Sequence, residues 1–215
     1  IPYLFSVILL PMFSRLLSKG EDGMQLLKFS AVLLLIPSLA AVLVSVLYSF
    51  QIMDLLYLEH VRESARVLSI LMAGYIPVSI IYVFSTYMTA MGKMKILNLV
   101  AGAGMLLNLG LNYFLIPRLG ISGSAIASVT VQTAMSVAYF YIVTFIYGRG
   151  ISLSSLTRIS VFLAAVLVTA YIVWSSGTGW LTAALILIFI CAVFPFLTGL
   201  LNARELISFF GKNDK

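Results

Sequence analysis

The amino-acid sequence predicts an all-α polytopic membrane bundle with about seven transmembrane helices, the first of them truncated. Three observations predict it. Residues 29–53, 67–92, 96–117, 119–148 and 159–203 contain no Asp, Glu, Lys or Arg. Apolar residues make up 62% of the chain and charged residues only 9%, far from the balance of soluble domains. The basic residues sit in short segments between the apolar runs and alternate in number from one segment to the next. A charge-free apolar run of roughly 20 residues crosses a hydrocarbon core of about 30 Å as a helix.

Taken in order, the predicted spans are 1–16, 29–52, 67–91, 96–116, 121–147, 158–175 and 180–201. The first begins in the apolar stretch Tyr3 to Phe13, which has neither a basic n-region nor a small-residue cleavage site, so it is not a signal peptide. It reads as a membrane helix cut through the middle, and the chain as the C-terminal part of a longer protein. The second span is rich in Leu, Ile, Val and Phe, which favour insertion by roughly 4–8 kcal/mol in total. Breakers mark the boundaries that follow: Gly20 and Gly23, Gly92, Pro117 with Gly120, and Gly148 with Gly150. The turn Ser175-Ser176-Gly177-Thr178-Gly179 divides the last long run into two spans. Residues 1–147 form one predicted unit; residues 148–215 add two helices and a tail.

Arg15, Lys19, Lys28, Lys93, Lys95, Arg149, Arg158, Arg204, Lys212 and Lys215 fall on one side of this topology; Arg62, Arg66 and Arg118 fall on the other. By the positive-inside rule the first loop and the C-terminus are cytoplasmic, and the loop at 53–66 faces outward. Membrane orientation accounts for the excess of six positive charges, so nucleic acid is not an expected partner. Pro37, Pro77 and Pro195 lie inside spans, where neighbouring helices satisfy the freed carbonyls. For Pro77, with Gly74 one turn earlier, a static kink and a bending hinge are equally open.

Polar residues inside the spans are the candidate functional groups. Tyr75, Ser79, Tyr82, Thr86 and Thr89 follow one another at spacings of 4, 3, 4 and 3, which puts them on one helix face. Such a stripe lines either a polar cavity or a helix interface. A tyrosine wall suits a sugar, because the ring packs on apolar sugar faces and the hydroxyl donates and accepts. Ordinary interhelical hydrogen bonding would produce the same stripe. Asn98, Asn108 and Asn112 share a face of the next span and are expected to point into the bundle, as are Ser128 and Gln132 on the span after it. Gly123 with Ala127, and Ser124 with Ser128, form small-xxx-small pairs that call for close helix packing.

No carboxylate lies deep in any span, so a proton or sodium relay cannot be built from this segment alone. Cys191 is the one cysteine, which excludes an internal disulfide, and His60 is the one histidine. There is no phosphate loop, no HExxH and no paired carboxylates beside a cation, so neither metal, cofactor nor enzymatic activity is expected.

Three segments carry a resemblance. Pro11-Met12-Phe13-Ser14-Arg15 resembles a P-x-x-S-R helix end, and Ala90-Met91-Gly92-Lys93-Met94-Lys95 resembles an A-x-G-K-x-K turn. Residues Asn108 to Ala127 resemble N-x-x-L-N-x-x-L-I-P-x-x-G-x-x-G-[AS]-A-x-A. In this order and spacing they are similar to the O-antigen-type polysaccharide flippases of the multidrug/oligosaccharidyl-lipid/polysaccharide exporter superfamily. The resemblance implies a protein of about fourteen helices in two pseudo-symmetric lobes. This chain would be the second lobe, from the end of helix eight to helix twelve, with helices thirteen and fourteen. It implies alternating-access transfer of a polyprenyl-diphosphate-linked oligosaccharide across the cytoplasmic membrane. The expected partners are membrane lipid, that substrate and the missing N-terminal lobe. Spans 1–16 and 67–91 would line this half of the cavity. The basic residues that would hold the diphosphate are absent from these spans, and Arg15 is the one candidate.

Other readings compete. A drug/cation antiporter of the same superfamily would need a buried carboxylate. A lipid II flippase would show F-x-R-G-x-F where this chain has Leu55-Leu56-Tyr57-Leu58-Glu59-His60. A full-length gene with a matching first lobe would argue against a non-transporting membrane scaffold. A membrane glycosyltransferase needs an acidic motif for which Glu59-His60 and Glu63 are a poor match.

Overall fold

A computed structural model describes residues 2–147 and 153–199. The predicted basic residues Arg149, Arg204, Lys212 and Lys215, the last two residues of the span at 180–201, and the tail lie outside the described residues. The described elements are all helices: α1 (Pro2–Ser18), α2 (Met24–Leu47), α3 (Ser49–Leu56), α4 (Val61–Ala73), α5 (Tyr75–Ala90), α6 (Met94–Leu119), α7 (Ile121–Tyr141), α8 (Leu153–Ser175) and α9 (Trp180–Leu197). A π-helical turn, Ile142–Ile146, continues α7. Among the described residues, five segments are long and apolar enough to cross a membrane: Met24–Leu47, Val61–Ala90, Met94–Leu119, Ile121–Ile146 and Trp180–Leu197. Two further apolar stretches, Pro2–Ser18 and Ser160–Ser175, are shorter. The chain is an all-α, multi-pass membrane bundle.

Helices run further than the charge-free windows that announced them. α2 starts at Met24 rather than 29 and takes in Lys28; α4 starts at Val61 and takes in Arg62, Glu63 and Arg66. Absence of charge marks the hydrocarbon depth, whereas the backbone hydrogen-bond ladder continues through the headgroup layer. The predicted outward loop at 53–66 is mostly helical. α2 ends at Leu47, α3 follows after the single residue Tyr48, and the chain reverses over 57–60 with His60 in the left-handed region (φ 55°).

Contacts divide the chain into two units, Ile1–Gly150 and Ile151–Lys215. In the first, α5 is the central helix and packs on α1, α2 and α7. Its direction relative to each neighbour follows from paired contacts. Tyr3 meets Tyr82 and Phe13 meets Tyr87, so α1 and α5 run parallel. Ser38 meets Ser79 while Gly23 meets Tyr87, so α2 is antiparallel to both. Gly74 meets Gln132 and Phe84 meets Phe140, so α7 is parallel to α5. Arg15, Lys19, Lys28, Lys93 and Lys95 therefore gather at one end of this unit, where Lys93 Nζ lies 5.2 Å from the Tyr147 ring centre. Arg62, Arg66 and Arg118 lie at the other.

The α6–α7 hairpin turns at Gly120 (φ 57°), which the preceding Pro117 and Arg118 leave as the one residue free to adopt that conformation. The row Gly123, Ala127, Val131 and Met135 faces α6. At its start the α7 backbone touches the Leu115 carbonyl; at its end Met135 Sδ occupies the side-chain space of Gly104. The small-residue spacing thus serves a helix seam, where dispersion and backbone proximity replace the hydrophobic drive that lipid cancels. Within the span Val61–Ala90, Gly74 separates α4 from α5. Pro77 has no N–H to give to Ala73, and the Gly74 N–H turns to the Leu71 carbonyl at 3.0 Å.

The second unit is an α8–α9 hairpin. α8 buries Phe162, Val166, Ala170 and Val173; α9 buries Ala183, Ala184, Leu187, Cys191 and Pro195. Both faces repeat at helical spacing and form its seam. Arg158 Nη1 donates to the Gly199 carbonyl at 3.1 Å across its ends.

Candidate functional site

The five stripe residues of α5 do not share one environment: Tyr82 meets α1, Ser79 meets α2, and Thr86 and Thr89 bond within α5 itself. Ser79 is buried, 1% exposed, and its Oγ lies 2.6 Å from Ser38 Oγ of α2. Each of these hydroxyls also reaches a carbonyl one turn back on its own helix, Ser79 to Tyr75 at 2.9 Å and Ser38 to Leu34 at 2.7 Å. Two buried hydroxyls beside prolines are satisfied together, as buried polar groups in a membrane must be. Thr86 is buried and donates to the Tyr82 carbonyl at 2.6 Å; Thr89 donates to the Ser85 carbonyl at 2.8 Å. These two hydroxyls are occupied within α5.

Tyr75 and Tyr82 are only half-buried. Tyr82 stands edge-on to Tyr3 of α1, with ring centres 6.5 Å apart at 74°. Tyr3 is itself 63% exposed, and Leu4, Val7 and Ile8 continue its open side along α1. The accessible part of the stripe is therefore Tyr75 at the start of α5 and, beside α1, an aromatic seam of Tyr3 and Tyr82, two phenol rings packed edge-on whose hydroxyls can donate and accept. Sequence reading missed Tyr3 and Ser38. Neither belongs to a periodic polar stripe; each matters only through the residue opposite it on another helix.

Arg15 is exposed in the last turn of α1, at the lysine-rich end. It is separated from Tyr3 by twelve residues of helix, about 18 Å at 1.5 Å per residue. The candidate cation and the aromatic seam are thus different levels of one helix pair.

The bundle-facing polar residues divide in the same way. Asn108 and Asn112 are half-buried and bonded to each other, Asn112 Nδ2 donating to Asn108 Oδ1 at 2.7 Å and to its carbonyl at 3.0 Å. Asn112 Oδ1 is buried and has no hydrogen-bond partner among the described residues. Asn98 is exposed. It follows the buried Leu97 by one residue and so is turned about 100° from it. Ser128 and Gln132 are half-buried on α7, and Gln132 Oε1 fills the space where a side chain at Gly74 would start.

Fold and site together define a multi-pass helical membrane protein with an aromatic seam on one helix pair. Comparison with known protein families, with curated proteins and with solved structures finds no match.

Proposed function

We propose that this chain is part of a flippase that moves a polyprenyl-diphosphate-linked oligosaccharide across the cytoplasmic membrane, of the multidrug/oligosaccharidyl-lipid/polysaccharide exporter type. It acts as a transporter and not as an enzyme. One observation carries the reading: α1 and α5, the two helices that the motif resemblance assigns to the cavity wall, lie side by side and bring Tyr3 and Tyr82 to a half-open seam. Flat rings with hydroxyl edges match the alternating apolar and polar faces of a glycan. The other half of the path, with the groups that hold the diphosphate, belongs to a preceding lobe in this reading.

Complementation tests it. In the full-length protein, Tyr82→Leu keeps the apolar bulk that the bilayer requires and removes the hydroxyl and ring face. Loss of a substrate hydrogen bond costs about 1–3 kcal/mol, against about 0.6 kcal/mol for an average polar contact between membrane helices. Surface polysaccharide is therefore expected to fall at near-threshold expression. Tyr113→Leu, on an exposed face of α6 away from the seam, should leave it unchanged. Wild-type polysaccharide from Tyr82→Leu would make the stripe a packing surface.

Orientation belongs to the same proposal, with the lysine-rich end and the C-terminus in the cytoplasm. After Cys191→Ala, a cysteine at Lys19 or Lys93 should be shielded from an impermeant thiol reagent on intact cells. One at His60 or Thr178 should react. The reverse pattern would overturn the orientation and the transport direction with it.

A further inference from the structure

The hairpin formed by α3 and α4 has no role in the aromatic seam. α2 alone is long enough for the hydrocarbon core: its 24 residues rise about 36 Å against about 30 Å. The chain has therefore reached the membrane–water boundary at Tyr48. The second leg meets the same boundary at Arg66, the charge nearest the core on α4. Both legs are thus pinned, and residues 49–65 lie outside the hydrocarbon core; the headgroup layer is about 5–8 Å deep on each side, and α3, about 12 Å long, fits within it when it lies along the surface. That layer is about one helical turn deep.

What the hairpin presents there is unexpectedly apolar. None of the eight residues of α3 is buried. Leu55 is 74% exposed, Leu56 64%, Tyr57 55% and Leu58 fully exposed, with Phe50 also open on α3. The charges stand beside this tip and not within it: Asp54 before, Glu59 and Arg62 after, with His60 Nδ1 3.3 Å from a Glu63 carboxylate oxygen. The reversal at His60 closes the turn tightly enough to leave four consecutive apolar side chains at the apex. An apolar apex ringed by charge and carrying a tyrosine is the composition that partitions into a headgroup layer.

We propose that the apex Leu55–Leu58 is an interfacial anchor, seated among the lipid headgroups of the leaflet opposite the lysine-rich end, where it fixes the height of the α2 and α4 ends in the bilayer. The bilayer is the occupant because two spans hold the apex at its surface, and the flanking charges of both signs stop deeper entry.

The test uses the full chain in phosphatidylcholine vesicles containing phosphatidylglycerol. Trp174→Phe and Trp180→Phe remove the native indoles, and Leu58→Trp places one at the apex, where full exposure means that no packing is lost. Emission should shift to shorter wavelength than free tryptophan. Lipids brominated near the headgroup should quench it, and aqueous iodide should lose most of its effect. Water-like emission fully quenched by iodide would overturn the proposal. So would shielding from iodide without quenching by brominated lipid, which would mean protein cover, such as a second copy. A spin label on Leu58→Cys, in a Cys191→Ala background, gives an independent depth from its relative accessibility to oxygen and to a water-soluble nickel chelate. Accessibility to nickel equal to that of the same nitroxide free in water would likewise sink it.

Discussion

Gly123→Leu is expected to open the α6–α7 hairpin and to be the most destabilising single change in the first unit. A Cβ at this position would overlap the Leu115 carbonyl oxygen and lie 2.6 Å from its carbon and 3.1 Å from Ile116 N. These are backbone atoms in the last turn of α6, so no rotamer change relieves the collision. Overpacking in a protein interior typically costs about 1–3 kcal/mol, and a rigid obstacle places this case at or above the upper end. Gly123→Ala should already lose a large part of that. Unfolding in mixed detergent, followed by far-ultraviolet circular dichroism, measures the loss. Gly102→Ala and Gly110→Ala are the matched controls on α6. Nothing lies within 4 Å of a Cβ at either, so both should be neutral or gain up to about 1 kcal/mol from helix propensity. Equal effects at all three glycines would refute the close approach.

Gly74→Leu is expected to be nearly as costly, and for a reason that a partner can relieve. A Cβ there would overlap Gln132 Oε1 and would stand 3.1 Å from both Val129 Cγ2 and the Leu71 carbonyl. The first obstacle is the far end of a flexible side chain, and the second is a methyl group. Gly74→Ala should therefore cost about 1–3 kcal/mol in the wild-type background. Shortening the partner with Gln132→Ala should return part of it, with a coupling of about 0.5–3 kcal/mol in the double-mutant cycle. Strict additivity would mean that α4, α5 and α7 do not meet at this point. The same cycle bears on Pro77. If the break between α4 and α5 is a static kink, relief at Gln132 restores stability alone. If it bends, Gly74→Ala should also change spin-label distances between the two halves.

Much of the fold was legible without coordinates. Apolar spans can be read because the free energy of placing a residue in hydrocarbon depends chiefly on that residue and its depth, and charges are excluded one by one. This located each long apolar helix and placed the Gly120 turn between α6 and α7. It could not show that 53–66 is helical, because partition says nothing about backbone geometry in the headgroup layer. Nor could it count crossings beyond length and composition, which the shorter α1 leaves open.

The candidate site was legible only to the level of a helix face. The spacing of Tyr75, Ser79, Tyr82, Thr86 and Thr89 was sufficient to align them on α5. Thr86 and Thr89 are occupied by carbonyls of their own helix, but the surroundings of Ser79 and Tyr82 depend on what stands opposite. Ser79 meets Ser38 from a segment 41 residues away, and Tyr82 meets Tyr3. Asn98 and Asn112 likewise share a side of α6, yet Asn98 is exposed while Asn112 is half-buried and bonded to Asn108. The sequence by itself determined where the chain meets hydrocarbon and where its charges lie, since transfer from water to lipid is a property of each residue alone. The tertiary structure decided which polar faces are sealed and which stay open, because lipid offers helices no hydrophobic preference among neighbours and only paired contacts between specific residues choose the partner.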